Sequence, residues 1–272
     1  MTTDASAFHD FEQAGWQRAA EHYGDAFGAL TIQAAESLLD AVNAAAGTRL
    51  LDVATGPGVI AAAAAARGAR VVGLDFSPAM IAEARRRHPA LVFRDGDAEA
   101  LPFENGAFDA VVMNFGMLHL AHPEAAMTDA RRVLRPGGRY AFTVWGAPEL
   151  AIGFGLVIRA VEKFGRADVG LPAGPPFFQF SDAATCKHAL ASAGYSSIDD
   201  VRLLRLTWRL QSADAVFAAV SSGGVRTAAV LRAQTPEALA AIRDAVREGV
   251  EAYALGGGYE VPMPAVLASA SK

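Results

Sequence analysis

Leu50-Leu51-Asp52-Val53-Ala54-Thr55-Gly56-Pro57-Gly58 is an apolar run that ends in an acid and then in a glycine-rich turn. Leu50, Leu51 and Val53 suit a strand covered on both faces, as the central strands of parallel sheets are. Gly56 and Gly58 lack the Cβ atoms that keep a ligand away from the backbone. An unbroken alanine run from Ala61 to Ala66 follows. If helical, its first turn leaves unpaired N–H donors pointing back at whatever the loop holds. The stretch therefore reads as strand, ligand-binding loop, helix.

Working outward, the same alternation continues. Strand patterns at Arg49 to Ala54, Arg70 to Asp75, Leu91 to Asp95, Phe108 to Asn114 and Gly138 to Trp145 are separated by helical patterns at Ser77 to His88 and Pro123 to Leu134. Single helices between strands imply right-handed crossovers and a parallel sheet with helices on both faces. Upstream, Phe8, Phe11, Trp16, Ala19, Tyr23, Phe27 and Leu30 recur every three to five residues, the stripe of an amphipathic helix. A second helix is expected from about Ile32 to Ala46, stopped by Gly47 as a left-handed cap. Beyond Trp145 the rhythm breaks. Helical patterns at Leu150 to Phe164, Ser181 to Ala193 (with Ser181 as cap), Ala213 to Ser221 and Pro236 to Tyr253 surround a proline- and glycine-rich loop at 170–176. Strands are expected at Ser197 to Leu210 and Val261 to Ala268.

The 272 residues carry a net charge of −5 and are 52% apolar. That is enough for one large α/β domain with appended segments, and the acidic balance disfavours holding the phosphates of long nucleic acids. Cys186 is the single cysteine, so no internal disulfide exists, and its apolar neighbours place it in a core. Met1 to Asp10 carries acids and no apolar signal region, and no run of eighteen apolar residues occurs. A soluble, cytoplasmic protein is expected, with neither membrane nor nucleic acid as a partner. No cluster of residues suggests a metal site.

Two cofactors compete for the loop. Gly56-x-Gly58-x-x-Ala61 with Asp75 downstream satisfies the loose dinucleotide pattern, in which the acid binds ribose hydroxyls. Three features favour S-adenosylmethionine. Asp52 is an acid inside the strand end, where a pyrophosphate is repelled and an ammonium is welcome. Gly96-Asp97-Ala98-Glu99-Ala100-Leu101-Pro102-Phe103 adds a second acid beside an apolar wall, suited to an adenine amine and ring. No Tyr-x-x-x-Lys pair suited to hydride transfer is present.

At this point five stretches in order, LLDVATGPG (50–58), VVGLDFSPAMI (71–81), GDAEALPFENGAFDAVVMN (96–114), LHL (118–120) and RVLRPGGRYAFTVW (132–145), resemble class I S-adenosylmethionine-dependent methyltransferases of the UbiE/methyltransferase type-11 kind. The resemblance covers roughly residues 15–145. It implies a Rossmann-like, doubly wound, seven-stranded, mostly parallel sheet within a single domain over 1–272. An N-terminal helical lid (1–47) and a cofactor-binding core (48–146) are expected within it, and the segments 147–180 and 211–258, outside the resemblance, are expected to be substrate-cap insertions because they interrupt the fold at the carboxyl ends of the strands, where loops make the site. The resemblance further implies that Asp52, Ala54, Gly56 and Gly58 surround the methionine part of the cofactor, Ala54 standing where the common pattern has its first glycine. Asp75 then holds the ribose, Phe76 and Met80 flank adenine, and Asp97 and Ala98 meet its amine. Asn114 offers its backbone carbonyl, Phe115 points to the acceptor side, and Trp16 and Tyr23 close over the site.

The turn Asn114-Phe115-Gly116-Met117 lacks the two prolines that methyltransferases of exocyclic amines carry after this asparagine, so a small, apolar or aromatic acceptor is expected. Methyl transfer from a sulfonium is an in-line displacement, leaving S-adenosylhomocysteine, and alignment in a dry pocket is the protein's main contribution. A base is needed only when the acceptor arrives protonated. His119 is the leading candidate, ahead of His122 and His22. Two other readings stay open, a protein that binds S-adenosylmethionine without transferring its methyl group and an NAD-dependent oxidoreductase. The acceptor atom and the oligomeric state, monomer or homodimer, are not legible.

Overall fold

The computed structural model describes residues 5–272, and statements of absence below concern these residues; Met1 to Asp4 of the acidic N-terminal stretch lie outside them. The chain starts with α1 (Ala5–Tyr23), a π-helical turn (Gly24–Gly28), a short α2 (Ala29–Thr31), a 3-10 turn and α3 (Ala35–Ala41). Next come β1 (Arg49–Val53), α4 (Val59–Ala66), β2 (Arg70–Asp75), α5 (Pro78–Arg87), β3 (Val92–Asp95), β4 (Phe108–Asn114), α6 (Pro123–Val133) and β5 (Leu134–Trp145). The second half holds α7 (Ile152–Phe164), α8 (Ala183–Ser192), β6 (Ser197–Leu204), β7 (Thr207–Leu210), α9 (Ala215–Gly223), α10 (Arg226–Arg232), α11 (Pro236–Glu251), β8 (Ala254–Leu255), β9 (Gly258–Pro262) and β10 (Ala265–Ser271).

Seven strands form one sheet in the order β3-β2-β1-β4-β5-β10-β6. The first five run parallel, while β10 is antiparallel to both β5 and β6. The parallel core is what the alternating sequence pattern implies, and the seven-stranded, mostly parallel sheet is what the family resemblance implies. β1 lies at the centre, with Leu51 opposite Val72 on one side and Val111 on the other. Leu50, Leu51, Val111 and Val112 are fully buried, which explains the nearly continuous apolar runs of these strands. Because β1, β2 and β4 are parallel, their carboxyl ends share one edge, where the chain reversal between β1 and β4 opens a crevice.

Several boundaries differ from the sequence expectations, each for a local reason. The stripe from Phe8 to Leu30 is helical as expected but not regular, since a π-helical turn over Gly24–Gly28 lies between α1 and α2 while the backbone stays right-handed at Tyr23, Gly28 and Ala29. The helix expected to reach Ala46 stops at Ala41, because Asn43 already takes the left-handed conformation (φ 54°); Gly47, also left-handed (φ 83°), shapes the next turn. Ser181 is not the cap of α8. Asp182 is, its carboxylate accepting the Thr185 N–H at 2.8 Å. The strand expected over 197–210 divides, β6 pairing with β10 and β7 with β9 in a separate three-stranded sheet. The expected last strand also divides near Pro262 and Pro264, which have no N–H to give to a ladder. The helix α10 has no counterpart in the sequence reading.

The appended segments pack on one another. α7 lies along α11, α9 lies on α1 and the π-helical turn, and β7 pairs with β9. Cys186 is buried, its thiol donating to the Phe180 carbonyl, and burial pushes its pKa up to about 12. Since Leu51 fills the centre of the sheet with no exposure, Leu51→Ala is expected to lower unfolding free energy by about 2–5 kcal/mol in urea denaturation, through lost transfer energy and the cavity left behind.

Candidate functional site

The turn after β1 is held by a short polar network. Ala54 has φ 54° and Gly56 φ 53°, both in the left-handed region. At Gly56 a Cβ would meet nothing within 4 Å, so that backbone lies open to the crevice, and its N–H donates to Asp75 Oδ2 at 2.8 Å. The other oxygen, Asp75 Oδ1, accepts the Ser77 N–H at 2.9 Å. Asp75 is thus fixed at the end of β2 by two backbone donors, one from each neighbouring turn. Ala54 occupies a conformation that glycine adopts freely and alanine adopts at a cost of about 1 kcal/mol or more. The departure from the usual glycine is therefore a matter of backbone strain as well as of a methyl group's volume.

A cavity of about 670 Å³ opens over this turn. Of the residues expected around a cofactor, eleven reach its wall: Trp16, Tyr23, Ala54, Gly56, Asp75, Phe76, Met80, Asp97, Ala98, Asn114 and Phe115; His119 does too. Two do not. Asp52 is 1% exposed and sits behind the turn, its Oδ2 accepting the Thr55 hydroxyl at 2.6 Å while Oδ1 has no partner. Gly58 turns the other way, toward the Phe93 ring, which a Cβ would approach to 2.8 Å; it serves packing of the turn at φ 83°. Asn114 is anchored at the end of β4, its Oδ1 accepting the Thr143 hydroxyl at 2.6 Å and its Nδ2 donating to the Thr31 carbonyl. Phe115 is left-handed (φ 56°), with its ring stacked on Trp145 at a centroid distance of 4.0 Å.

A second cavity of about 510 Å³ adjoins the first. Trp16, Tyr23, Phe115 and His119 line both. Its other walls are mainly aromatic, with Phe27, Trp145, Phe154 and Phe177. Arg226 reaches it from α10.

The helix α1 brings more to the site than its aromatic pair. His9 lines the first cavity with its ring edge-on to Phe76, and its Nε2 lies 3.3 Å from Asp97 Oδ2. Gln13 donates to the Phe76 carbonyl at 2.9 Å and docks the helix on the β2 corner. Glu12, with no exposure, faces His119 Nδ1 through Oε2 at 2.9 Å and accepts the Arg226 Nε–H through Oε1 at 2.7 Å. The sequence reading missed His9, Glu12 and Arg226. Glu12 left one sign, an acid spaced four residues from both Phe8 and Trp16 on the apolar stripe; Arg226 left none. His119 does not cap the following helix: its ring packs edge-on to Trp16 at 4.7 Å. His122 stands at the start of α6, its backbone N–H donating to Glu99, and His22 is exposed in the last turn of α1. No group of three or more His, Cys, Asp or Glu among the described residues could hold a metal, and no helix among them is long and apolar enough to cross a membrane.

Burial pushes the Asp52 carboxyl up to about 7, against the hydrogen bond from Thr55, and pushes Asp75 up to about 6, against the N–H donors of Ser77 and Gly56. A carboxyl that ionises less readily in the folded protein costs nothing below its ordinary value of 3.8 and progressively more stability as pH rises through the interval to about 7. For Asp52 the full cost is on the order of 4 kcal/mol. Asp52→Asn removes it. Whatever constant offset the amide introduces, the stability of Asp52→Asn relative to wild type is expected to rise between about pH 4 and pH 7 in ligand-free denaturation series, and a difference that stays flat or falls contradicts this.

Comparison with known proteins bears on the same region. Residues 51–142 match a family described as Methyltransferase domain. A demethylmenaquinone methyltransferase of Beutenbergia cavernae is 44% identical over 113 residues, which are 42% of this chain and 47% of that one. The chain thus spans about half the length of the curated relatives it matches. Among solved structures, the YcgJ protein of Bacillus subtilis covers 88% of this chain (98% of its own) with a TM-score of 0.59 and 17% identity. A Haemonchus contortus phosphoethanolamine N-methyltransferase, solved with S-adenosylhomocysteine, covers 97% of this chain (60% of its own) with a TM-score of 0.59 and 17% identity. At that identity the likeness concerns the fold.

Proposed function

We propose that this chain, whose residues 51–142 match a methyltransferase domain family, binds S-adenosylmethionine in the larger cavity and transfers its methyl group to a small apolar acceptor in the aromatic one. The observation that carries this reading is the shared wall of the two cavities, where Trp16, Tyr23, Phe115 and His119 face both. A donor on one side and an acceptor on the other can meet there without water between them.

The residues fit the cofactor. Asp75, fixed by two backbone donors, retains lone pairs for ribose hydroxyls, and Phe76, Met80 and Leu74 supply apolar wall for adenine, with Asp97 and Ala98 beside its amine. Gly56 leaves the backbone of the turn open to the methionine part, while Asp52, behind the turn, stiffens that loop through the Thr55 hydroxyl and does not meet the ligand itself. When bound, the cofactor supplies an activated methyl group that leaves its sulfur in an in-line displacement. This chain's own contributions are alignment and dryness, which account for roughly 7–11 kcal/mol in well-oriented reactions. In this reading α1 acts as lid, and the segments 147–180 and 211–258 act as the cap that selects the acceptor. Their packing on α1 and the aromatic cavity between them support it. The aromatic walls suit a planar ring, and the acceptor in the relatives' name, demethylmenaquinone, is a quinone-type molecule of that class. His119, on the shared wall, takes the acceptor's proton where there is one to lose.

Calorimetry with S-adenosylmethionine, S-adenosylhomocysteine and NAD tests the cofactor assignment. Micromolar binding of the first two and none of NAD is expected; NAD binding alone overturns it. Asp75→Ala is expected to weaken both by about tenfold to a hundredfold, corresponding to a lost charge-assisted hydrogen bond. Formation of S-adenosylhomocysteine with quinols and other planar aromatic acceptors separates an enzyme from a protein that only binds the cofactor. His119→Ala is expected to lower that turnover by about 10²–10⁴-fold while cofactor affinity is kept.

A further inference from the structure

A carboxylate with no exposure requires compensation, and Glu12 finds it in two segments far along the chain. Arg226, 214 residues away, donates from Nε to Glu12 Oε1 at 2.7 Å. Each of its other two nitrogens is committed too, Nη2 donating to the Leu118 carbonyl at 2.7 Å and Nη1 to the Pro175 carbonyl at 2.8 Å, with Cζ 4.4 Å from the Phe8 ring centroid. Glu12 Oε2 then has a single neighbour, His119 Nδ1 at 2.9 Å.

We propose that Glu12 is a positioning residue that fixes the tautomer of His119, and that Arg226 determines which Glu12 oxygen does so. The argument rests on the reading of His119 as the base. Arg226 can only donate, so Oε1 is claimed and Oε2 is left as an acceptor facing Nδ1. The imidazole answers by carrying its proton on Nδ1. Nε2 is then the unprotonated nitrogen, on a ring that lines both cavities. In the transfer step the acceptor's bond to hydrogen breaks and the proton goes to Nε2. The electron pair left on the acceptor atom forms the new bond to the methyl carbon, and the carbon–sulfur pair returns to sulfur. The positive charge lost at sulfur reappears on the imidazolium, beside Glu12. Since Glu12 comes from α1, Arg226 from α10 and His119 from the turn after β4, this base is set only where lid, cap and core meet.

The substitution Glu12→Gln tests the orientation with little change in volume. Arg226 needs an acceptor, so the glutamine oxygen must take the Oε1 place and its NH2 must face Nδ1. That forces Nδ1 to accept and moves the ring proton to Nε2. Nitrogen-15 NMR of histidine-labelled protein at mildly alkaline pH reads the tautomer directly, and His119→Asn identifies the His119 signals among the six histidines. The expected result is protonated Nδ1 in the wild type and protonated Nε2 in Glu12→Gln, with turnover toward a protonated acceptor down by about 10²-fold or more and S-adenosylmethionine affinity unchanged. A wild-type ring protonated on Nε2 overturns the proposal, and so does a variant whose tautomer matches the wild type. The wild-type spectrum alone can decide against it, so a variant that fails to fold does not protect it. Failure of the methyltransferase reading shows separately, as absent cofactor binding in a protein whose His119 tautomer is as expected.

Discussion

Burying the Glu12 carboxylate without compensation would cost several kcal/mol, because a desolvated charge has no other way to recover its hydration. The compensation comes from Arg226 and His119, and those contacts join three parts of the molecule with no local reason to be near one another. Arg226 also ties the loop at Pro175 and the turn at Leu118 to the same point. Arg226 lines the aromatic cavity, so α1, α10 and the loop at Pro175 meet at its wall through this one side chain. Removing Arg226 would leave Glu12 with His119 as its sole partner, and removing Glu12 would leave Arg226 with the Leu118 and Pro175 carbonyls, so each loss weakens the junction by a charge-assisted hydrogen bond.

At the carboxyl ends of β1 and β2 the constraint is similar in kind. Asp52 and Asp75 are buried at the ends of adjacent strands, and both carboxyls are pushed upward by burial. Asp75 is partly relieved by two backbone N–H groups, while one oxygen of Asp52 has no partner. The strained conformations of Ala54 and Phe115 stand at the ends of β1 and β4, beside these acids. Strain and orphaned polar atoms gather where a fold is built for a ligand, since stability given up there is recovered on binding.

The sheet was legible because its signal is local and repeated. Apolar runs at Leu50–Val53, Val71–Leu74 and Ala110–Met113 mark strands buried on both faces, and a glycine-rich turn after the first marks the open edge. Asp75 and Asp97 were legible as acids following parallel strands, where residues face the crevice, whereas Phe76 and Asn114 came from the resemblance of their stretches to a known family. The register of α1 was harder. The stripe suggested Phe11 as a core residue, yet Phe11 is half-buried while Glu12 has no exposure. An acid on an apolar face looks like an error in the pattern until its partners are known, and here they stand on other elements.

Sequence by itself determined the strand and helix alternation, the parallel sheet and the glycine-rich turn after β1, because each depends on residues within a few positions of one another, and the resemblance of its motifs named most of the residues that line the larger cavity. Tertiary structure decided the split of the last strands into two sheets, the retreat of Asp52 and Gly58 from the cavity wall, the aromatic chamber and the Glu12, His119 and Arg226 junction. The junction arises from pairings across 107 and 214 residues and the strand split from pairings between β6 or β7 and the last strands. Such pairings are selected by burial and charge compensation in the folded chain, and no local pattern of residue types encodes them.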